Sequence, residues 1–222
     1  MAESSTDIGE FKRARTEVQI NTRKKAILSA AIDLLRTKSP LDITIRQLSK
    51  SAGIAPSGIY RYFENMESIF LEVHLNDLEL IVESWEKNLA EFEADLFRIS
   101  EYIADSLLSN DRYLLLLLLT PTLIERELSV ERLVEHKMQL VQVMQRAAMA
   151  LHSSGLNLGI DESVKTFGRI IAFAMGLQPL ANPSQPALKA MEKPELSIIK
   201  LDMKEELKQG IEIILKGSIL DF

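Results

Sequence analysis

The chain has no cysteine in its 222 residues. That excludes a disulfide framework and any thiolate metal site. Histidine is scarce as well. His74, His136 and His152 are scattered, and no His-x-x-x-His or similar ligand spacing occurs. No metal and no other cofactor is therefore expected. There is no glycine-rich phosphate loop and no nucleophile elbow, so two local marks of enzymes are missing. The acidic residues read as helix surface rather than as paired catalytic carboxylates. The longest apolar run, Tyr113 to Ile124, is interrupted by Thr120, Pro121 and Thr122. A membrane-spanning helix needs roughly 20 apolar residues, so this run reads as a buried core helix, with no membrane partner. The first residues, MAESSTDIGE, are polar and acidic rather than basic and then apolar, so a cytoplasmic setting is expected. Strand-like alternation and internal repeats are also missing.

Hydrophobic residues make up 46% of the chain, enough for a substantial core in one medium domain or a small one fused to a larger one. The net charge of −6 is unevenly shared: residues 1–63 carry 11 Lys and Arg against 6 Asp and Glu, and residues 64–222 carry 15 against 26. A basic front part joined to an acidic body suits a reader of polyanions, because only the contacting face has to be positive.

Within the basic part, Thr44 to Phe63 reads TIRQLSKSAGIAPSGIYRYF. Ile45, Leu48 and Ala52 share one helical face. Thr44 and Gln47 have the spacing of a capping box. Gly53 sits where the chain must turn, since glycine enters left-handed φ at little cost. Pro56 suits the first turn of a second helix, which Ile59 and Phe63 anchor. Two helices, a glycine turn and a polar outer edge make the helix-turn-helix plan, whose second helix enters the major groove.

Thr44-Ile45-Arg46, Leu48, Ala52-Gly53-Ile54 and Gly58 to Phe63 resemble the signature of TetR-type transcriptional regulators. The likeness extends from about Asn21 to Phe70, with one departure: Met66 stands where the family commonly has a lysine that meets a DNA phosphate. The resemblance implies an all-α fold. A three-helix helix-turn-helix domain (21–81) would be joined by a long helix to a helical effector-binding and dimerisation domain (82–222), behind a flexible basic arm (1–20). It also implies that Ala55, Pro56, Ser57, Gly58, Tyr60, Arg61 and Tyr62 lie at the major groove. Thr44 and Tyr62 would hold phosphates, Tyr60 would pack or touch the backbone, and Arg46 and Arg61 would reach bases or phosphates. Few of these side chains are long, so DNA shape should share in the readout.

Around the motif, Phe11 to Arg15 is a basic stretch that suits either a DNA-touching arm or a solvated tail. Ile27, Ala30, Ala31, Leu34 and Leu35 stripe a first helix over 22–37, and Arg23, Lys24 and Lys25 fall in its first turn, where the helix dipole disfavours cations unless an anion is near. Asn65 should cap a helix running to about Leu89 with no Gly/Pro linker. Such a helix belongs to both halves and would act as a stiff lever. Further helices follow through Val130 to Leu151. Asp161 should cap the next, and Asp202 with Glu205 the last.

Gly168, Ala172 and Gly176 recur every four residues, so one helix face there has almost no side chain. With Leu207, Ile211 and Ile214 on the last helix they are the candidate interface of a homodimer, built as a four-helix bundle across a two-fold axis. Candidate pocket residues for a small-molecule effector are Trp85, Phe92, Phe97, Tyr102, Tyr113, Met138, Met144, Phe173 and Met175, although aromatic and Met residues at helical spacing also build plain core. The shortage of polar groups points to an apolar effector. The expected protein is a dimeric repressor that binds a pseudo-palindromic site on double-stranded DNA and is released by that effector. The competing readings are an all-α enzyme and a protein-interaction scaffold, each keeping a helix-turn-helix-shaped core.

Overall fold

A computed structural model of the protein describes residues 5–220, with side chains from 18 to 219, and every regular element among them is helical. The chain divides into two units, Met1–Val73 and His74–Phe222. The division comes earlier than the 81/82 border expected from the sequence. Leu75, Leu78, Ile81 and Val82 already pack in the core of the second unit.

In the first unit, α1 (Ser5–Leu35) packs on α2 (Ile45–Ala52), and α2 on α3 (Pro56–Ile59). The expected stripe on α1 is the buried one: Ile27, Ala30 and Ala31 are inside, joined by Leu48, Ile59 and Phe63. α1 is much longer than the expected 22–37. Arg23, Lys24 and Lys25 therefore lie in mid-helix, and the dipole argument for an anion beside them no longer applies. The basic stretch Phe11 to Arg15 falls on the helical backbone of α1, but its side chains lie outside the described residues. α1 ends before Ser39 and Pro40, and a single 3-10 turn, Pro40–Asp42, leads to α2; a residue before proline is pushed out of α geometry.

α4 (Met66–Asn88) supplies residues to both units. Its start is set by Asn65, whose Oδ1 accepts from the Ser68 N–H at 2.8 Å. Met66 is buried rather than presented to solvent.

The second unit is built on α8 (Ile160–Ala181), which packs against α6 (Asp111–Thr122), α7 (Val130–His152) and α10 (Met203–Leu220). α10 also covers α5 (Leu96–Leu108). α8 needs three apolar sides, and Phe167, Ile170, Ala174 and Leu177 are buried along it. Gly159, not Asp161, occupies its cap position. Asp202 does cap α10, accepting from the Glu205 N–H at 2.9 Å. α6 and α8 run through Pro121 and Pro179 instead of stopping there, because both prolines fall in the last turn, where only one or two bonds are lost. A short α9 (Gln185–Ala190) lies in the proline-rich connection.

Candidate functional site

In the helix-turn-helix segment, Thr44 and Gln47 make both bonds of the capping box. Gln47 N–H donates to Thr44 Oγ1 at 3.3 Å, and Thr44 N–H to Gln47 Oε1 at 2.9 Å. The Thr44 hydroxyl accepts in this bond, so its own proton is left for an acceptor outside the protein. Thr44 is exposed, and it stands at a helix N-terminus, where backbone N–H groups favour anions. Gly53 closes α2 in the left-handed region at φ +64°. The turn is locked by Ser49, whose Oγ donates to the Ile54 carbonyl at 2.6 Å, a role that sequence reasoning missed.

The second helix of the motif is shorter than expected. Only Pro56–Ile59 is regular α-helix, and Tyr60, Arg61 and Tyr62 follow in a turn. Two N–H groups, from Tyr62 at 2.9 Å and Phe63 at 3.1 Å, converge on the Ile59 carbonyl and tighten the chain there. Ala55, Pro56, Ser57, Tyr60 and Arg61 are exposed, and Gly58 and Tyr62 are half-buried. Arg46 is exposed on α2 and, like Arg61, has no acidic partner among the described residues. Arg61 and Tyr62 line one surface concavity with Thr22 and Arg23 of α1. Gly58 has a packing role as well: a Cβ there would stand 2.9 Å from Ile54 Cγ2.

The second unit holds a cavity of about 200 Å³ among α4, α6, α7 and α8. Leu78, Leu117, Leu140, Met144, Ile171 and Met175 form much of its wall. Tyr113, Met144 and Met175, three of the expected pocket residues, face it. So do His74, Thr120, Glu125, His136 and Lys137, none of which the sequence singled out for this role. The expectation that the pocket lacks polar groups is therefore corrected: its wall is largely apolar, with a cluster of titratable groups. His74 and Tyr113 stack with ring centroids 5.2 Å apart. Burial, with His136 and Lys137 nearby, pushes the His74 imidazole down to about 3. Burial and then Lys137 push His136 down to about 4, and both rings are therefore neutral at pH 7. Burial raises the Tyr113 phenol. Lys137 is paired with Glu125.

The other expected pocket residues do not line this cavity. Trp85 is fully buried core, its Nε1 donating to Ser106 Oγ at 2.7 Å and its rings edge-on to Phe167. Phe92 packs on Tyr102, whose hydroxyl accepts from Asn88 Nδ2 at 2.7 Å. Phe97 lies outside, under the Lys208 ammonium at 3.8 Å. Met138 is 63% exposed on the outer face of α7. Phe173 is wedged over Gly210 of α10.

Of the expected interface residues, Leu207 and Ile211 are fully buried in the unit's own core, and Ile214 packs against that core. Leu207 and Ile211 cannot form a partner's contact surface, because that part of the apolar stripe of α10 is already spent on α5 and α8. Ala172 and Gly176 are exposed and Gly168 is half-buried beside the cavity, with open space around each of the two glycines. The outer side of α10 carries Ile213, 69% exposed.

A helix-turn-helix unit followed by an all-helical unit with an internal cavity defines a class of DNA-binding regulators. The family described as "Bacterial regulatory proteins, tetR family" matches residues 27–73, and "Tetracyclin repressor-like, C-terminal domain" matches residues 75–220. The chain belongs to the TetR family of transcriptional regulators. It is 32% identical over 95 residues to the HTH-type transcriptional regulator RutR of Escherichia coli, a match spanning 41% of this chain and only 42% of that protein. Among solved structures, the TetR family repressor AlkX from Dietzia superposes with a TM-score of 0.57 at 16% identity, over 88% of this chain and 96% of that one. The regulator FadR from Bacillus subtilis, in complex with stearoyl-CoA, gives 0.53 at 17% identity, over 87% and 98%.

Proposed function

We propose that the protein is a homodimeric repressor that binds a pseudo-palindromic DNA site and lets go when a small molecule enters the cavity of the second unit. The observation that supports this best is the exposed edge of the helix-turn-helix. Thr44, Arg46, Ser57, Tyr60 and Arg61 are all open to solvent, and neither arginine is in an ion pair among the described residues. Two such edges in a dimer would read half-sites about one helical turn, on the order of 34 Å, apart. The structural neighbour FadR, solved in complex with stearoyl-CoA, supports a small-molecule ligand. α4 joins the two events, since His74 of the cavity and Met66 of the reader lie on one continuous helix. Release requires only that the ligand favour the arrangement that binds DNA less well.

For the dimer, the outer faces of α8 and α10 carry the proposal, with Ala172 and Gly176 letting a partner helix approach closely and Ile213 supplying apolar area. An isologous contact repeats any substitution on both subunits. Gly176→Arg and Ile213→Arg should each give a monomer by light scattering and abolish operator binding.

The DNA reading is tested by gel shift against sequences selected from a random pool, over a range of salt. Binding should weaken steeply as salt rises, because phosphate contacts release counterions. Arg46→Ala and Tyr62→Phe should each weaken binding by about tenfold, the loss of one contact of roughly 1–1.5 kcal/mol, with unchanged melting. Unchanged affinity in both would remove the contact assignment. Salt-independent binding would favour the scaffold reading instead.

A further inference from the structure

Five buried side-chain polar atoms among the described residues have no hydrogen-bond partner: His74 Nδ1 and Nε2, Tyr113 Oη, His136 Nε2 and Ser163 Oγ. The first four belong to three residues that line the cavity of the second unit. An unpaired buried polar group costs about 1–3 kcal/mol, so three of them around one space are an expensive arrangement unless something in that space satisfies them. Of the other polar groups on the wall, Thr120 donates to the Leu116 carbonyl and Lys137 is paired with Glu125, and the rest is mostly aliphatic.

The charges facing the two imidazoles decide what would suit them. Asp77 on α4 is tied by both oxygens to Arg112 at the start of α6, at 2.9 and 2.5 Å. Glu125 is paired with Lys137 of α7, and Arg132 of α7 with Glu135. α8 contributes Phe167, Gly168, Ile171 and Met175 to the wall, none of them titratable. At His136 the field of Lys137 exceeds that of Glu125, and Arg132 adds to it. At His74 the field of Lys137 is again positive. Lys137 sets a positive field at both neutral imidazoles, while Asp77 acts with the opposite sign on the Tyr113 phenol.

We propose that the cavity recognises a small monocarboxylate, its carboxylate held by His74, His136 and Tyr113 and its apolar body lying along Leu78, Met144 and Ile171. This rests on the reading of the cavity as the effector site and names the effector's class. An apolar cavity of about 150 Å³ takes benzene, so about 200 Å³ has room for one ring or a chain of roughly six carbons with a head group. A carboxylate close to a neutral imidazole favours its protonated form. Binding therefore draws a proton from solvent onto one of the two rings, and affinity rises as pH falls from 8 to 6.

The test is calorimetry on the full-length protein with hexanoate, benzoate and phenylacetate, each beside its amide. Runs in phosphate and in Tris at pH 7 report the protons exchanged. The expected result is that at least one acid binds tenfold or more tighter than its amide, with uptake of a substantial fraction of a proton. In His136→Gln, which keeps a neutral hydrogen-bonding group, uptake should fall. The wild-type buffer comparison stands whether or not that variant folds. Equal binding of acid and amide, binding without proton uptake, or no binding by any of the acids overturns the proposal. A gel shift with the bound acid is read separately. Binding with proton uptake but no DNA release leaves the ligand class standing and removes the release step of the proposed function. Release by an unrelated compound when no acid binds does the reverse.

Discussion

Gly53 and Gly58 stand five positions apart in the motif and are needed for different reasons. Gly53 has φ +64°, and a Cβ there would meet nothing within 4 Å. Its requirement is purely conformational, worth about 1 kcal/mol. Gly58 has no such backbone demand, but a Cβ would press on Ile54 Cγ2 at 2.9 Å. Because Ile54 is fixed by its backbone bond to Ser49, relief means moving the turn, at about 1–3 kcal/mol. Substitutions should separate the two. Gly53→Asn should recover most of what Gly53→Ala loses, since Asn tolerates left-handed φ. Gly58→Ser should be no better than Gly58→Ala, and both should weaken DNA binding. Chemical denaturation and gel shifts on the four variants check this. The conformational role of Gly53 could be read from the sequence because turn and cap signals are local. The contact behind Gly58 could not, because nothing in the spacing says which way Ile54 points.

Between elements, the tightest constraint is where α8 meets α10. A Cβ on Gly210 would lie 2.1 Å from Phe173 Cε1 and 2.3 Å from Cζ, so the ring occupies the space a side chain would need. Gly210→Ala must either expel Phe173 or push the helices apart. It should cost more than the 0.5–1 kcal/mol that Gly to Ala normally returns in a helix, leaving a net loss of about 1–3 kcal/mol. Phe173→Leu should be destabilising alone but should rescue Gly210→Ala, with a coupling of roughly 0.5–3 kcal/mol in a double-mutant cycle by thermal melting. Additive losses would mean that the ring does not seal this contact. The periodicity of α10 showed its apolar stripe correctly, yet assigned Leu207 and Ile211 to a partner chain. A stripe reports that a face is covered, not by what. The same limit applies to the aromatic candidates for the pocket. Trp85 and Phe173 are large and apolar, and large apolar groups fill cores before they line cavities. The polar members of the cavity come from three helices and a 3-10 turn (Ile124–Glu127) distant in sequence, so no local pattern joins His74 to Tyr113, Glu125 and His136.

At the scale of the whole molecule, those buried histidines make stability depend on pH in a window of its own. In the unfolded chain an imidazole takes its proton near pH 6.5. In the folded protein His74 does so only at about 3 and His136 at about 4. Between these values the unfolded state holds more protons, so stability rises with pH and falls as pH drops from about 6.5 towards 4. At pH 5 each imidazole should cost on the order of 1–2 kcal/mol relative to pH 8. Surface carboxylates act elsewhere. Glu86, held down chiefly by its bond to Arg146, gives stability that is complete above the ordinary carboxylate range and is lost only below it. Asp77, whose carboxyl is pushed up by burial, acts in the opposite sense, so melting followed from pH 8 to 4.5 should report the two histidines less what Asp77 offsets. His136→Gln should flatten that part of the profile by about one proton's worth of slope while leaving the acid limb below 4.5 unchanged. A wild-type profile that is flat from pH 7 to 5 would mean that both rings stay accessible to protons in the folded state. The cavity would then be wetter than its aliphatic wall implies, and the dry setting that leaves its polar groups unpaired would be lost with it.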